Sequence, residues 1–280
     1  MQKPILRWTI GSNVLPIAYE VLEQSIKNAL KVFGQDAFDY YVLYNLKNND
    51  SFLNELKRIE NWYPVNLIRQ TWEQFPLPIV EPIKVEKQLE NHARFMGSVW
   101  KLCPDRLNIN THEIIIDSDV IFTKKIDEID DFLNSDKILA YSDCYRFYGK
   151  YDHIIDSQHC CNSGIIGLPP NYKFGESLFK TWDENKRHPF LAYNDEQGLV
   201  IATLAKEENI MIPNYKIPIL HPEKFSNKNL SSDKEPEFAD YDNFDYDKFS
   251  GFHFVEVNRR EHYGYNLWNA KQNTCRKLHL

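Results

Sequence analysis

The chain has 280 residues, 42% hydrophobic and 26% charged, the make-up of a globular protein with room for one large domain. Its net charge of −7 argues against a general nucleic-acid binder, which needs a basic face for phosphate, but leaves room for a local basic pocket. Five cysteines, Cys103, Cys144, Cys160, Cys161 and Cys275, include no C-x-x-C pair, so neither a disulfide framework nor a zinc site is indicated.

The opening MQKPILRWTI lacks the apolar run of a signal peptide, and no stretch approaches the ~20 apolar residues of a membrane span. Reduced thiols and a cytoplasmic location are the expectation. ILRWTI reads as a strand, followed by Gly11, Ser12 and Asn13. Leu15, Ala18, Leu22, Ile26 and Ala29 then recur at helical spacing. FDYYVLYN predicts a second strand, FLNELKRI a short helix and VNLIRQ a third strand. VEKQLENHARFMGSVWKLC reads as a helix stopped by Pro104. EIII, KILAY and NSGIIGL are further strands, and FGESLFKTWDENK and DEQGLVIATLAKE are helices. Strands alternating with helices in this way predict an α/β fold, a mainly parallel Rossmann-like sheet flanked by helices.

The segment 225–249 breaks the pattern and reads as a long acidic loop or flap within a domain spanning 1–257. The strand-like GFHFVEV follows it. A basic, aromatic extension, 258–280, ends the chain. There Arg259, Arg260, Lys271, Arg276 and Lys277 interleave with Tyr263, Tyr265 and Trp268, a mixture suited to peripheral contact with an anionic membrane.

The chemistry concentrates in IIIDSDVIF. Three branched apolar residues run into Asp117 and Asp119 at what reads as the carboxyl end of a buried strand, where open parallel sheets bind ligands. In an extended chain residues two apart point the same way, so both carboxylates face one site. Two such charges repel and lose hydration, and a hard cation such as Mg2+ or Mn2+ offsets both costs. An EF-hand is excluded, because its fifth and sixth loop positions are here Ile121 and Phe122. A haloacid-dehalogenase-like phosphatase with Asp117 as nucleophile stays open, although that motif usually opens its domain. A sugar nucleotidyltransferase needs a glycine-rich basic loop that IGSNVLP does not provide.

With these residues in view, the chain resembles the GT-A nucleotide-sugar glycosyltransferases, most closely glycosyltransferase family 8. GSVWKLCPDRLNINTHEIIIDSDVIF looks like that family's helix, connection and Asp-x-Asp strand; CNSGIIGL is similar to its Asn-Ser-Gly strand, and NDEQGLV to its Asp-Gln helix start. GFHFVEV places His253 where a late histidine completes the family's metal site. The resemblance implies Mn2+ or Mg2+ on Asp117, Asp119 and His253, the ion neutralising a departing nucleoside diphosphate. It implies a nucleotide contact set of Ile10, Gly11, Ser12, Lys101, Asp117 and Ser118. Asn162, Ser163, Gly164, Asn194 and Gln197 would meet the donor sugar or acceptor. Arg106 and Arg94 are, with Lys101, the basic candidates for the donor phosphates. Asp195 and Glu196 are the candidate catalytic carboxylates, and the inserted Glu leaves retention or inversion of the sugar's configuration open. The expected partners are a nucleotide-sugar donor, a UDP-sugar foremost, and a glycan or lipid-linked acceptor hydroxyl. No acidic residue follows the first strand, and the family's Lys-Pro-Trp after the histidine is missing: Phe254, Val255 and Glu256 stand there. A catalytically silent member that binds a glycan or partner is the third reading.

Overall fold

A computed structural model describes residues 2–11, 15–46, 51–71, 74–77, 99–143, 146–155, 160–186, 193–223, 225–226, 241, 244–257 and 261–277. In chain order the elements are β1 (Ile5–Ile10), α1 (Ile17–Phe33), β2 (Asp39–Tyr44), α2 (Leu53–Trp62), β3 (Val65–Arg69), β4 (Glu113–Asp117), β5 (Val120–Phe122), α3 (Asp127–Leu133), β6 (Ile138–Ser142) and β7 (Cys161–Leu168). There follow α4 (Phe174–Glu184), α5 (Tyr193–Leu204), β8 (Asn209–Ile212), β9 (Ile219–Leu220), β10 (Phe225–Ser226), β11 (Gly251–Phe254) and α6 (Tyr263–Lys277).

The central sheet has seven strands in the order β3-β2-β1-β4-β7-β6-β8. Every adjacent pair is parallel except those involving β7, which runs antiparallel to β4 and to β6. The Asn-Ser-Gly strand is therefore the one reversed strand in a mainly parallel sheet. The chain walks outward from β1 to β3 and returns to β4 on the other side of β1. That reversal opens a crevice at the carboxyl ends of β1 and β4, where such sheets take their ligands.

The isoleucine run shows why this sheet has two covered faces. Ile114 and Ile116 pack into the core beneath α1 and α2, while Ile115 points into the opposite core with Leu178 of α4 and Leu199 of α5. All three are fully buried, each stabilising the fold by about 1.5–3 kcal/mol. A strand buried on both sides reads as a continuous apolar run, and β4 does so because it lies between β1 and β7.

A second, four-stranded sheet, β10-β9-β11-β5, stands beside the first. β9 and β10 were not predicted; two residues each, next to Pro218 and Pro222, leave no period to read. α3 also escaped prediction, seven residues being under two turns. The C-terminal extension forms α6, whose Tyr265 and Trp268 are buried against Phe254 and Phe252 of β11. Of the predicted helix 85–103, the described part is a single 3-10 turn, Trp100–Leu102, and the rest lies outside the described residues, as do residues 227–240 of the acidic segment. No described helix is long and apolar enough to cross a membrane.

Candidate metal and sugar site

Asp117 is the last residue of β4, and Thr9, near the end of β1, is its partner in register. Ser118 and Asp119 form a turn, and β5 then leaves for the second sheet. The two carboxylates therefore converge because the chain turns between sheets; strand alternation, the reason given by the sequence, is not what aligns them. The turn is pinned from below: Trp8 Nε1 donates to Ser25 Oγ at 2.8 Å, and Ser25 Oγ donates to the Val120 carbonyl.

His253 comes from the far end of the chain by sheet register. β11 runs antiparallel to β5 with His253 opposite Val120, and the Phe254 amide donates to the Asp119 carbonyl at 3.0 Å. His253 Nε2 lies 3.3 Å from Asp119 Oδ1 and 3.9 Å from Asp117 Oδ2. One ligand atom from each of the three residues falls within 4.8 Å of the others, the one such cluster among the described residues. Burial disfavours the imidazolium, yet Asp119, Asp117 and Asp143 together outweigh it and raise the His253 pKa above its ordinary value. Two carboxylate oxygens and an imidazole nitrogen at this spacing suit a divalent cation of the Mn2+ or Mg2+ kind. The imidazole Nδ1 is buried with no hydrogen-bond partner among the described residues, where packing orients the ring.

Gly164 supplies that packing. A Cβ there would lie 2.5 Å from His253 Cε1, 2.9 Å from its Nδ1 and 2.8 Å from Asn162 Oδ1. The ring is buried, so one of these neighbours has to shift. Gly164→Ala is accordingly expected to push His253 off Asp119 and weaken Mn2+ binding at least about tenfold, as loss of a ligand-orienting contact does. Titration calorimetry checks it, with circular dichroism as the test of folding; unchanged Mn2+ affinity would remove the packing argument.

Lys101 joins the elements. It lies in the 3-10 turn and is 2% exposed. Its Nζ donates to Asp117 Oδ1 at 3.1 Å, to the Ser163 carbonyl at 3.2 Å and to Ser163 Oγ at 2.9 Å, and stands 3.6 Å from Glu196 Oε1. Burial disfavours the ammonium, but Asp117, Glu196 and Asp119 reverse that and raise its pKa. Glu196 is pushed up to about 7, first by burial, with Asp117 adding to the shift and Lys101 opposing it.

The other expected residues fall around this group. Asn162 donates to Asp143 Oδ2 at 2.9 Å and accepts from the Gly164 amide at 2.7 Å. Gln197 Oε1 accepts from the Ser163 amide and hydroxyl, each at 3.3 Å, and its Nε2 donates to the Phe147 carbonyl at 3.2 Å. Ser118 is buried in the turn, Asn194 is partly buried at the start of α5, and Ile10 and Gly11 are buried at the end of β1. Asp195 is turned elsewhere: its Oδ1 accepts from the Lys150 amide at 2.9 Å and packs on Gly149. Arg106 spends its guanidinium on Glu113 and on carbonyls of Asn108, Thr111, Pro169 and Tyr172. Ser12, Asn13 and Arg94 lie outside the described residues.

Asp143 was missed by the sequence reading. It is 5% exposed just beyond β6, holds Asn162 and adds negative potential at His253; an Asp after a strand carries no signal of this without the sheet order. Cys160 and Cys161 border the site, but burial raises both thiol pKa values, Cys161 to about 12, so neither is a ready nucleophile.

No family model and no curated protein matches the sequence. Solved structures do match the fold. The galactosyltransferase LgtC, in complex with donor and acceptor sugar analogues, has a TM-score of 0.50 and 12% identity over 78% of this chain and 76% of that one. An active-site mutant of LgtC gives 0.50 and 11% over 78% and 75%. Apo mouse xyloside xylosyltransferase 1 gives 0.48 and 12% over 79% and 88%. At such identities the likeness is one of architecture, and the architecture is that of the GT-A glycosyltransferases.

Proposed function

We propose that the chain is a divalent-metal-dependent glycosyltransferase that moves a sugar from a nucleotide-sugar donor, a UDP-sugar foremost, to a hydroxyl of a glycan or lipid-linked acceptor. The observation that carries the reading is the convergence of Asp117, Asp119 and His253 at the switch point of the sheet, from two segments, 117–119 and β11, that the sheet topology brings together. Those three residues would hold Mn2+ or Mg2+. Bound there, the ion supplies Lewis-acid neutralisation of the charge that grows on the departing diphosphate.

The remaining assignments follow from position. Ile10, Gly11 and Ser118, at the carboxyl ends of β1 and β4, are assigned to the nucleotide, together with Ser12, which follows Gly11 in the sequence. Asn162, Ser163, Gly164, Asn194 and Gln197 are assigned to the sugar, on β7 and the first turn of α5. Of the two acids on α5, Asp195 is committed to the backbone at residues 149–150, whereas Glu196 reaches the site through Lys101. Glu196 is therefore the one assigned to the chemistry, with a pKa of about 7 suited to exchanging a proton near neutrality. A lipid-linked acceptor would bring the basic C-terminal segment to an anionic surface.

Donor titration tests the reading. Melting temperature is followed with Mn2+ and a panel of UDP- and GDP-sugars, each with and without EDTA. A metal-dependent rise with at least one nucleotide sugar, roughly 2.7 kcal/mol of stabilisation at a hundredfold excess over Kd, is the expected result. No rise with any donor, or an equal rise in EDTA, rejects it.

A further inference from the structure

We infer that Lys101 is a positioning residue that makes the Asp117–Asp119–His253 seat weak for a lone divalent cation and strong for one that arrives with a diphosphate. The inference rests on the glycosyltransferase reading and deepens it by coupling the metal to the nucleotide.

Lys101 is a poor phosphate ligand as it stands. An ammonium has three N–H bonds, and five protein oxygens already lie within 3.6 Å of Nζ: both of Asp117, the carbonyl and hydroxyl of Ser163, and Oε1 of Glu196. The segment is also held from behind. Arg7 donates to the Lys101 carbonyl at 3.3 Å, and Gln70 to the Trp100 carbonyl at 2.5 Å, so the backbone is fixed before any ligand enters. What the side chain brings to the seat is a fixed positive charge against Asp117.

That charge has two consequences. With no ion present it pairs with Asp117 at 3.1 Å, nearer than His253 Nε2 at 3.9 Å. When a cation enters, it must share the partly exposed Asp117 with the buried ammonium and meet its repulsion across a site screened less than bulk water. Added negative charge on a diphosphate attracts both cations at once and offsets that repulsion. By reciprocity, the factor by which a diphosphate tightens the metal is the factor by which the metal tightens the diphosphate. A residue that merely tied β4 to β7 would change stability without altering this factor.

The test measures Mn2+ affinity of the full chain by electron paramagnetic resonance of the free ion, with Mn2+ alone and with UDP or GDP present. The wild-type chain is expected to bind Mn2+ about tenfold or more tightly with one of the diphosphates, within the usual range of coupling. Lys101→Met is expected to bind Mn2+ alone about tenfold more tightly than wild type and to lose most of the diphosphate effect. Because that variant leaves Glu196 without its cation, Lys101→Met with Glu196→Gln serves as a neutral-pair control, with the same result expected. Lys101→Arg, which keeps the charge, returns the wild-type pattern. Mn2+ binding by the two Met variants no tighter than wild type overturns the inference alone; wild-type Mn2+ affinity indifferent to UDP and GDP overturns it and counts against the glycosyltransferase reading as well. No Mn2+ binding by the wild type even with a diphosphate overturns the glycosyltransferase reading and takes the inference with it.

Discussion

Asp119→Asn is expected to lower kcat/KM for the proposed sugar transfer about 10³-fold while leaving the fold intact. The substitution keeps the shape of the side chain and removes the charge. The strand link through Asp119 does not use that charge: it is made by the backbone carbonyl to the Phe254 amide, which the substitution keeps. What depends on it is the seat. Asp119 Oδ1 is the carboxylate oxygen nearest His253 Nε2, at 3.3 Å, and the residue is only 7% exposed, so water does little to replace the lost ligand. Electrostatic stabilisation of a leaving group in a buried site is commonly worth about 10²–10³ in rate for one donor, and a metal ligand affects both the ion's affinity and its position. Most of the loss should appear in kcat at saturating Mn2+, with a separate fall in Mn2+ affinity. Initial rates with the donor found by titration, alongside a thermal melt, check both. A variant that keeps its melting temperature and more than a tenth of wild-type activity at saturating Mn2+ would exclude Asp119 as a ligand of a catalytic metal.

How much of this site could be read beforehand depended on sequence distance. Asp117 and Asp119 were legible because the isoleucine run fixes a strand end, and strand ends are where sheets of this type work. The reason for their convergence was not, since a turn between two sheets and a continuous strand look alike in IIIDSDVIF. His253 was legible only through resemblance; nothing in GFHFVEV announces a ligand, and β11 reaches β5 across 133 residues, from Val120 to its partner His253. Lys101 was read as a phosphate contact from its place before the metal strand. Its enclosure by Asp117, Ser163 and Glu196 depends on the order of β4, β7 and α5, which local periodicity does not contain. Likewise β7 was read as one more strand, and its reversed direction came only with the sheet. That reversal matters: β7 runs back from the crevice, which brings its first residues, Cys161 to Gly164, level with the carboxyl end of β4. The alternation of strands and helices, by contrast, is written in short-range periods and carried over to the fold with few losses.

Glu113→Gln is expected to destabilise the chain by about 3–5 kcal/mol, the cost of leaving buried cations without their partner, and to lower Tm by roughly 10 °C. Glu113 opens β4 and is fully buried. Its carboxylate lies 2.8 Å from Arg7 Nε and 3.4 Å from Arg106 Nε, and accepts from the Leu107 amide at 2.9 Å. Both arginines are buried deeply enough that desolvation lowers their pKa values despite Glu113, and after it Asp105, opposing the shift. Arg7 in turn donates to the carbonyls of Lys101, Pro104 and Asp105, and Arg106 to those of Pro169 and Tyr172. Glu113 is thus the anion that lets two guanidiniums clamp the connection carrying Lys101 onto the sheet. The charge is what matters, so adding Arg7→Met to Glu113→Gln, which removes an uncompensated cation, should recover about half of the lost stability or more. Urea melts of the wild type, both single variants and the double variant measure that coupling. A single-variant loss under about 1 kcal/mol, the worth of an exposed ion pair, would mean that solvent reaches this cluster and that the Lys101 segment is held in some other way.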